Sequence, residues 1–176
     1  AAATLQQTSS RKTSPNVIAK VAGVNDQQAI VFTSHWDHFG TRQAEPGEAA
    51  DVDRIFNGAY DNASGCAGLL ELARAMVKAP EKPGRSMYLV FTTAEESGLL
   101  GAEYFTAHPP IPTAQMAANL NVDGLNYLGP TKDMVQLGSD RSSLGPMLEE
   151  ILTGHGRVLG KDSHPERGYF FRSDHF

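Results

Sequence analysis

Two adjacent glutamates, Glu95 and Glu96, stand just past the apolar run 87–91, Met-Tyr-Leu-Val-Phe. Taken alone, such a pair is a solvated acidic start to the helix that follows. Other groups that do chemistry end or begin elements in the same way. His35, Asp37 and His38 close the run 28–34, Asp123 closes the run 116–122, Asp61 precedes an amphipathic stretch, and His175 lies near the end of the chain. Imidazoles and several carboxylates directed at one crevice repel or desolvate one another unless a cation joins them. Mixed His and carboxylate donors suit zinc, with cobalt or manganese as possible substitutes. Two dications balance three ligating carboxylates and a bridging hydroxide, whereas one would leave the pocket strongly negative. Composition does not say which glutamate ligates and which one moves a proton.

The elements that must position these groups are legible from periodicity. Strands are expected at 16–21, 28–34, 87–91 and 116–122, with shorter ones at 134–137 and 157–159. Cys66, Leu69, Leu70, Ala73, Met76 and Val77 mark one stripe of a helix over 63–78, capped by Asp61 and Asn62 and ended by Pro80, Pro83 and Gly84. Further helices are expected at 98–106, stopped by Pro109, Pro110 and Pro112, and at 142–153. Strand and helix alternate, which predicts an α/β fold with a mainly parallel central sheet and helices on both faces. Ligands collect past the carboxyl ends of such strands, so His35, Glu95, Glu96 and Asp123 reach one edge, and Asp61 begins the crossover that arrives there. The position of His175 is not fixed by these patterns.

Other residues receive weaker readings. His38, three positions beyond His35 in an extended strand end, faces the other way and is not counted as a ligand. The stretch 39–60 has neither period and is longer than an ordinary loop, which predicts a functional or mobile segment, with Glu45, Glu48, Asp51 and Asp53 solvated. Arg42, Arg54, Arg167 and Arg172 are all candidates to meet a substrate carboxylate. Asp174 is either a support for its neighbour His175 or a solvated acid. Residues 1–15 are polar and expected to be flexible.

Composition bounds the partners. Across 176 residues, 15 Lys and Arg against 20 Asp and Glu give a net charge of −5, with no basic run to meet nucleic acid or an anionic membrane. No apolar segment approaches the roughly 20 residues needed to span a bilayer. Cys66 is the single cysteine, so no internal disulfide forms, and a buried inert thiol is expected. The start at Ala1 without methionine is expected of a processed product or of a piece cut from a longer chain.

The blocks Ser34-His35-Trp36-Asp37-His38, Tyr60-Asp61-Asn62-Ala63-Ser64-Gly65, Thr93-Ala94-Glu95-Glu96-Ser97-Gly98-Leu99-Leu100-Gly101, Asn121-Val122-Asp123-Gly124 and Arg172-Ser173-Asp174-His175 occur in this order. Together they resemble the co-catalytic two-zinc aminopeptidases of the leucyl-aminopeptidase type, relatives of the glutamate carboxypeptidases. The resemblance covers residues 16–176, taken as the catalytic domain. It implies that Asp61 bridges two Zn2+ ions, that His35 and Asp123 complete one site, and that Glu96 and His175 complete the other. It further implies Glu95 as general base, Asp37 as the acid that holds the His35 ring, and a cis Asp61–Asn62 peptide. The substrate implied is a peptide with a free amino terminus, and the location secreted or periplasmic. Family members continue past the last histidine with a helix and a strand, so a truncated edge open to self-association is expected. A carboxypeptidase-like relative, a single-zinc glutaminyl-cyclase-like relative and a non-catalytic receptor-type domain are the alternatives.

Overall fold

A computed structural model of the protein describes residues 10–176. The expected flexible segment lies outside the described residues over 1–9. Nearer the domain the chain is tied down, because Ser14 and Thr93 share a hydrogen bond of 2.6 Å between their hydroxyls and the Trp36 indole donates to the Pro15 carbonyl at 3.2 Å.

The central sheet contains β1 (Val17–Val21), β2 (Asn25–His35), β5 (Arg85–Thr92) and β6 (Met116–Asn121), in the order β1-β5-β2-β6. Pairing of β2 with β5 and with β6 is parallel, and β1 runs antiparallel to β5, so the sheet is mainly parallel as its alternating elements predict. Between β2 and β5 the chain forms the two-residue ribbon of β3 (Gly40–Thr41) and β4 (Ile55–Phe56), a wide turn, and α1 (Gly65–Lys78). After β5 come α2 (Leu100–Ala107), β6, β7 (Asp133–Val135), α3 (Leu144–Gly154) and β8 (Val158–Gly160). β7 and β8 pair in parallel with each other and form a separate small sheet.

Helices lie on both faces of the central sheet. Ala29 and Val31 of β2, Tyr88 and Val90 of β5 and Phe105 of α2 form a buried cluster on one face, with Ile111 and Met116 packed against it. The register pairs Phe32 with Leu89 and Ser34 with Phe91, so these alternate residues point to the opposite face. There Ser34 meets Cys66 of α1, at 3.7 Å from Oγ to Sγ. Cys66 donates its thiol proton to the His35 carbonyl at 3.2 Å, and burial raises its pKa, in keeping with an inert thiol.

The apolar stripe of α1 is narrower than its sequence suggests: Leu69 is 1% exposed, whereas Leu70 is 60% and Val77 72% exposed. A helix meeting a sheet on one side buries only the residues nearest the contact line. No helix among the described residues is long and apolar enough to cross a membrane. Leu69→Ala should therefore lower the unfolding free energy by about 2–5 kcal/mol, and Leu70→Ala by well under about 1 kcal/mol. Urea titration of the two variants measures both values.

Candidate metal centre

β2, β5 and β6 end at the same edge because they are parallel and in register, which delivers His35, Glu95 with Glu96, and Asp123 together. Asp61 reaches them from the wide turn 59–64, where the Asp61–Asn62 peptide is cis, as the resemblance implies. Asn62, 1% exposed, joins these segments through one amide. Its Nδ2 donates to Ser34 Oγ at 3.1 Å and to the Val122 carbonyl at 3.0 Å. Its Oδ1 accepts the Gly65 amide at 3.0 Å and the Gly124 amide at 3.1 Å. The sequence marks Asn62 only as a helix cap, and only its bond to Gly65, the first residue of α1, is local in sequence. The other three depend on contacts distant in sequence. Gly65 has no alternative here, because a Cβ would lie 2.3 Å from Asn62 Oδ1 and 2.5 Å from the Val122 oxygen.

The β5 end is fixed from two sides. Asp37 accepts the amides of Glu95 and Glu96, at 3.1 Å on Oδ1 and 3.4 Å on Oδ2. Asn16 accepts the Thr93 amide at 3.0 Å and donates to the Gly101 carbonyl at 2.8 Å. Asp37 was expected to hold the His35 ring with its carboxylate. In the structure that bond is made by its main-chain carbonyl, 3.1 Å from His35 Nδ1, while carboxylate Oδ1 stands 3.8 Å away. The carboxylate is taken up by the two glutamate amides instead.

Two groups of donor atoms result. His35, Asp61 and Asp123 each place one such atom within 4.8 Å of the others, and so do His38, Asp61 and Glu96. Asp61 belongs to both. His35 Nε2 stands 3.0 Å from Asp61 Oδ1 and 3.3 Å from Asp123 Oδ1. With Nδ1 donating to a carbonyl, the neutral ring offers Nε2 as a bare acceptor between two carboxylates. Asp61 Oδ1 is buried without a hydrogen-bond partner. Acceptors facing one another around an orphaned oxygen are what a bound cation satisfies, and the His and carboxylate donors fit zinc.

Without a metal ion, a proton on His35 meets the same demand for positive charge. Burial disfavours a charged His35 ring, but its bond to Asp123 and the charges of Asp123, Glu95 and Asp61 outweigh burial and raise its pKa from 6.5 to about 9. Asp123 is also opposed by burial, yet His35 and Ser173, whose hydroxyl donates to Oδ2 at 2.7 Å, lower its pKa. Burial pushes Glu95 from 4.5 to about 7, with Asp123, Asp174 and Glu96 adding to the rise and His35 opposing it. A carboxyl poised near neutrality beside the donors is suited to moving a proton.

Residues 16–176 match Peptidase family M28. The chain belongs to this family. Leupeptin-inactivating enzyme 1 of Streptomyces exfoliatus is 28% identical over 171 residues, covering 96% of this chain and 34% of that protein. A probable zinc metalloprotease of Leptosphaeria maculans is 32% identical over 109 residues, covering 61% of this chain and 23% of that protein. The crystal structure of LapB from Legionella pneumophila matches with a TM-score of 0.62 at 25% identity, covering 84% of this chain and 38% of that one. The chain thus spans a quarter to a third of the length of these two curated relatives.

Within the M28 site, His175 and His38 stand apart from their sequence readings. His175 lies outside both donor groups, its ring centroid 4.8 Å from that of Phe170 and its Nε2 buried without a partner. His38 is in the second group, with Nδ1 2.6 Å from Glu96 Oε1. The extended-strand argument against it fails because β2 stops at His35 and residues 36–39 are not strand. The remaining signal in the sequence was its closeness to His35. Asp174, left open by sequence, is buried and accepts a hydrogen bond from Thr92. Arg42 and Arg54 both bind Glu48 and so are not the free cations a substrate carboxylate needs.

Asn62→Ala leaves buried partners on three segments unpaired and should cost at least about 2 kcal/mol in denaturant unfolding. A second expectation concerns pH. In chelated protein the His35 imidazolium stabilises fully below its unfolded value of 6.5, and this contribution is lost as pH rises through about 9. Denaturation midpoints without metal should fall across that window, and His35→Gln should remove the fall.

Proposed function

We propose that the protein hydrolyses the amino-terminal peptide bond of peptides at a centre of two zinc ions. Asp61 is the observation that carries this reading, because one carboxylate belongs to both donor groups and one of its oxygens is buried and unpaired. His35, Asp61 and Asp123 would hold the first ion. Asp61 and Glu96 would hold the second, and His175, whose buried Nε2 also lacks a partner, is its remaining donor by resemblance.

When bound, zinc supplies an electrophile that lowers the pKa of water and polarises the scissile carbonyl. Glu95 takes the proton of the attacking water and returns it to the leaving amine, and burial among carboxylates, which raises its pKa before metal binds, favours its taking that proton. Asp37 keeps Glu95 and Glu96 from exchanging places, since its two oxygens fix their successive amides. The Asp37 carbonyl orients the His35 ring so that Nε2 faces the centre. The carboxylates around the centre favour a substrate with a free, cationic amino terminus.

One observation favours a single-ion, cyclase-like reading: the second donor group has no third donor at ligand spacing other than His38. Metal analysis of the intact protein separates the two readings, with two zinc ions per chain expected. Glu95→Gln should keep both ions and lower turnover of a free-amine peptide by about 10²–10⁴-fold. Amine-blocked peptides should be left uncut by the wild type. One tightly held ion per chain, or equal cleavage of blocked peptides, would overturn the proposal.

A further inference from the structure

We infer that His38 is a positioning residue for the second ion, holding Glu96 by a hydrogen bond rather than ligating metal itself. The inference rests on the two-ion reading and deepens it. Spacing decides between the two roles. Donor atoms bound to one tetrahedral zinc at about 2.0–2.1 Å stand roughly 3.3 Å apart. His35 Nε2 meets Asp61 and Asp123 at 3.0 and 3.3 Å, which fits shared coordination. His38 Nδ1 and Glu96 Oε1 are 2.6 Å apart, too close to share an ion and close to the length of a charge-assisted hydrogen bond. Nδ1 therefore donates to Oε1, and the other carboxylate oxygen of Glu96 is left to face the ion.

The ring is also built into a slot. Its centroid lies 4.6 Å from that of Phe39 and 6.4 Å from that of Phe56, and those two phenylalanines meet edge to face at 5.7 Å. Gly58 closes the other side with φ +65°, where a Cβ would come 2.9 Å from His38 Cβ. A side chain at 58 would be strained in backbone and would displace the histidine. Phe39 and Phe56 flank and end the β3–β4 ribbon, whose loop is gathered by Glu48, bound by Arg42 and by Arg54 at 2.8 Å. The long segment between β2 and α1 is thus a buttress for His38. Partners that orient a ligand in this way contribute about 10–100-fold to metal affinity.

Zinc titration of the intact protein by calorimetry, with cobalt absorption reporting the geometry of each ion, tests the assignment on wild type, His38→Phe and His38→Asn. Phenylalanine keeps the ring packing and removes the donor, whereas asparagine places an N–H where Nδ1 stands. His38→Phe should weaken the second ion about 10–100-fold and leave the first unchanged, and His38→Asn should restore wild-type affinity to within a few-fold. Full second-ion affinity in His38→Phe would show that the bond does not matter. A His38→Asn variant as weak as His38→Phe would make His38 a direct ligand, because an amide does not replace imidazole on zinc. Either result overturns the assignment. Binding of a single ion by the wild type would instead overturn the two-ion reading beneath it.

Discussion

The Asn62 side chain is the constraint on which the site depends. Four hydrogen bonds from one buried amide connect the end of β2, the turn after β6 and the wide turn 59–64 that leads into α1. These segments carry His35, Asp123 and Asp61. The imidazole and carboxylates of this constellation set its charge rather than its spacing, and without metal they draw a proton onto His35. A neutral amide with every donor and acceptor satisfied provides the rigidity instead. Glycine at 65 follows from the same requirement, because the amide occupies the space where a Cβ would stand.

Around that scaffold, each acidic group is assigned by what satisfies it. Asp37 spends its carboxylate on main-chain amides, Asp174 on Thr92, and Asp123 on Ser173 as well as His35. Asp61 Oδ1 and Asp174 Oδ1 are both buried without a partner, but only Asp61 belongs to the two donor groups, which marks it as the shared carboxylate. Glu95 differs again. Burial among carboxylates raises its proton affinity, whereas Asp123 with similar burial is lowered by its direct bond to His35. Two acids of one site are thereby pushed in opposite directions by their immediate neighbours.

Much of this was legible in sequence. The apolar runs 28–34, 87–91 and 116–122 correspond to β2, β5 and β6, and acids at their ends converge because parallel strands in register must end together. What was not legible depends on partners far along the chain. His38 was set aside on strand geometry that ends three residues too early, and residues 39–60 looked irregular because their order comes from an ion cluster and two aromatic rings rather than a repeat. The four bonds of Asn62 reach residues up to 62 positions away, which no local pattern encodes. His175 shows the opposite case: its motif was clear, but its place relative to the other donors was not determined by any neighbouring element.

Parallel pairing on both sides of β2 has a consequence for how the molecule comes into being. Neither neighbour of β2 can be reached by a hairpin, so each contact waits for a crossover of many residues. During synthesis, the emerging polypeptide carries His35 and Asp61 well before Asp123 exists. Both neighbours of β2 in the sheet must therefore be in place before the donors stand together. Unlike a zinc finger, whose ligands come from one short stretch of chain, this fold draws its donors from strands that only long crossovers bring side by side.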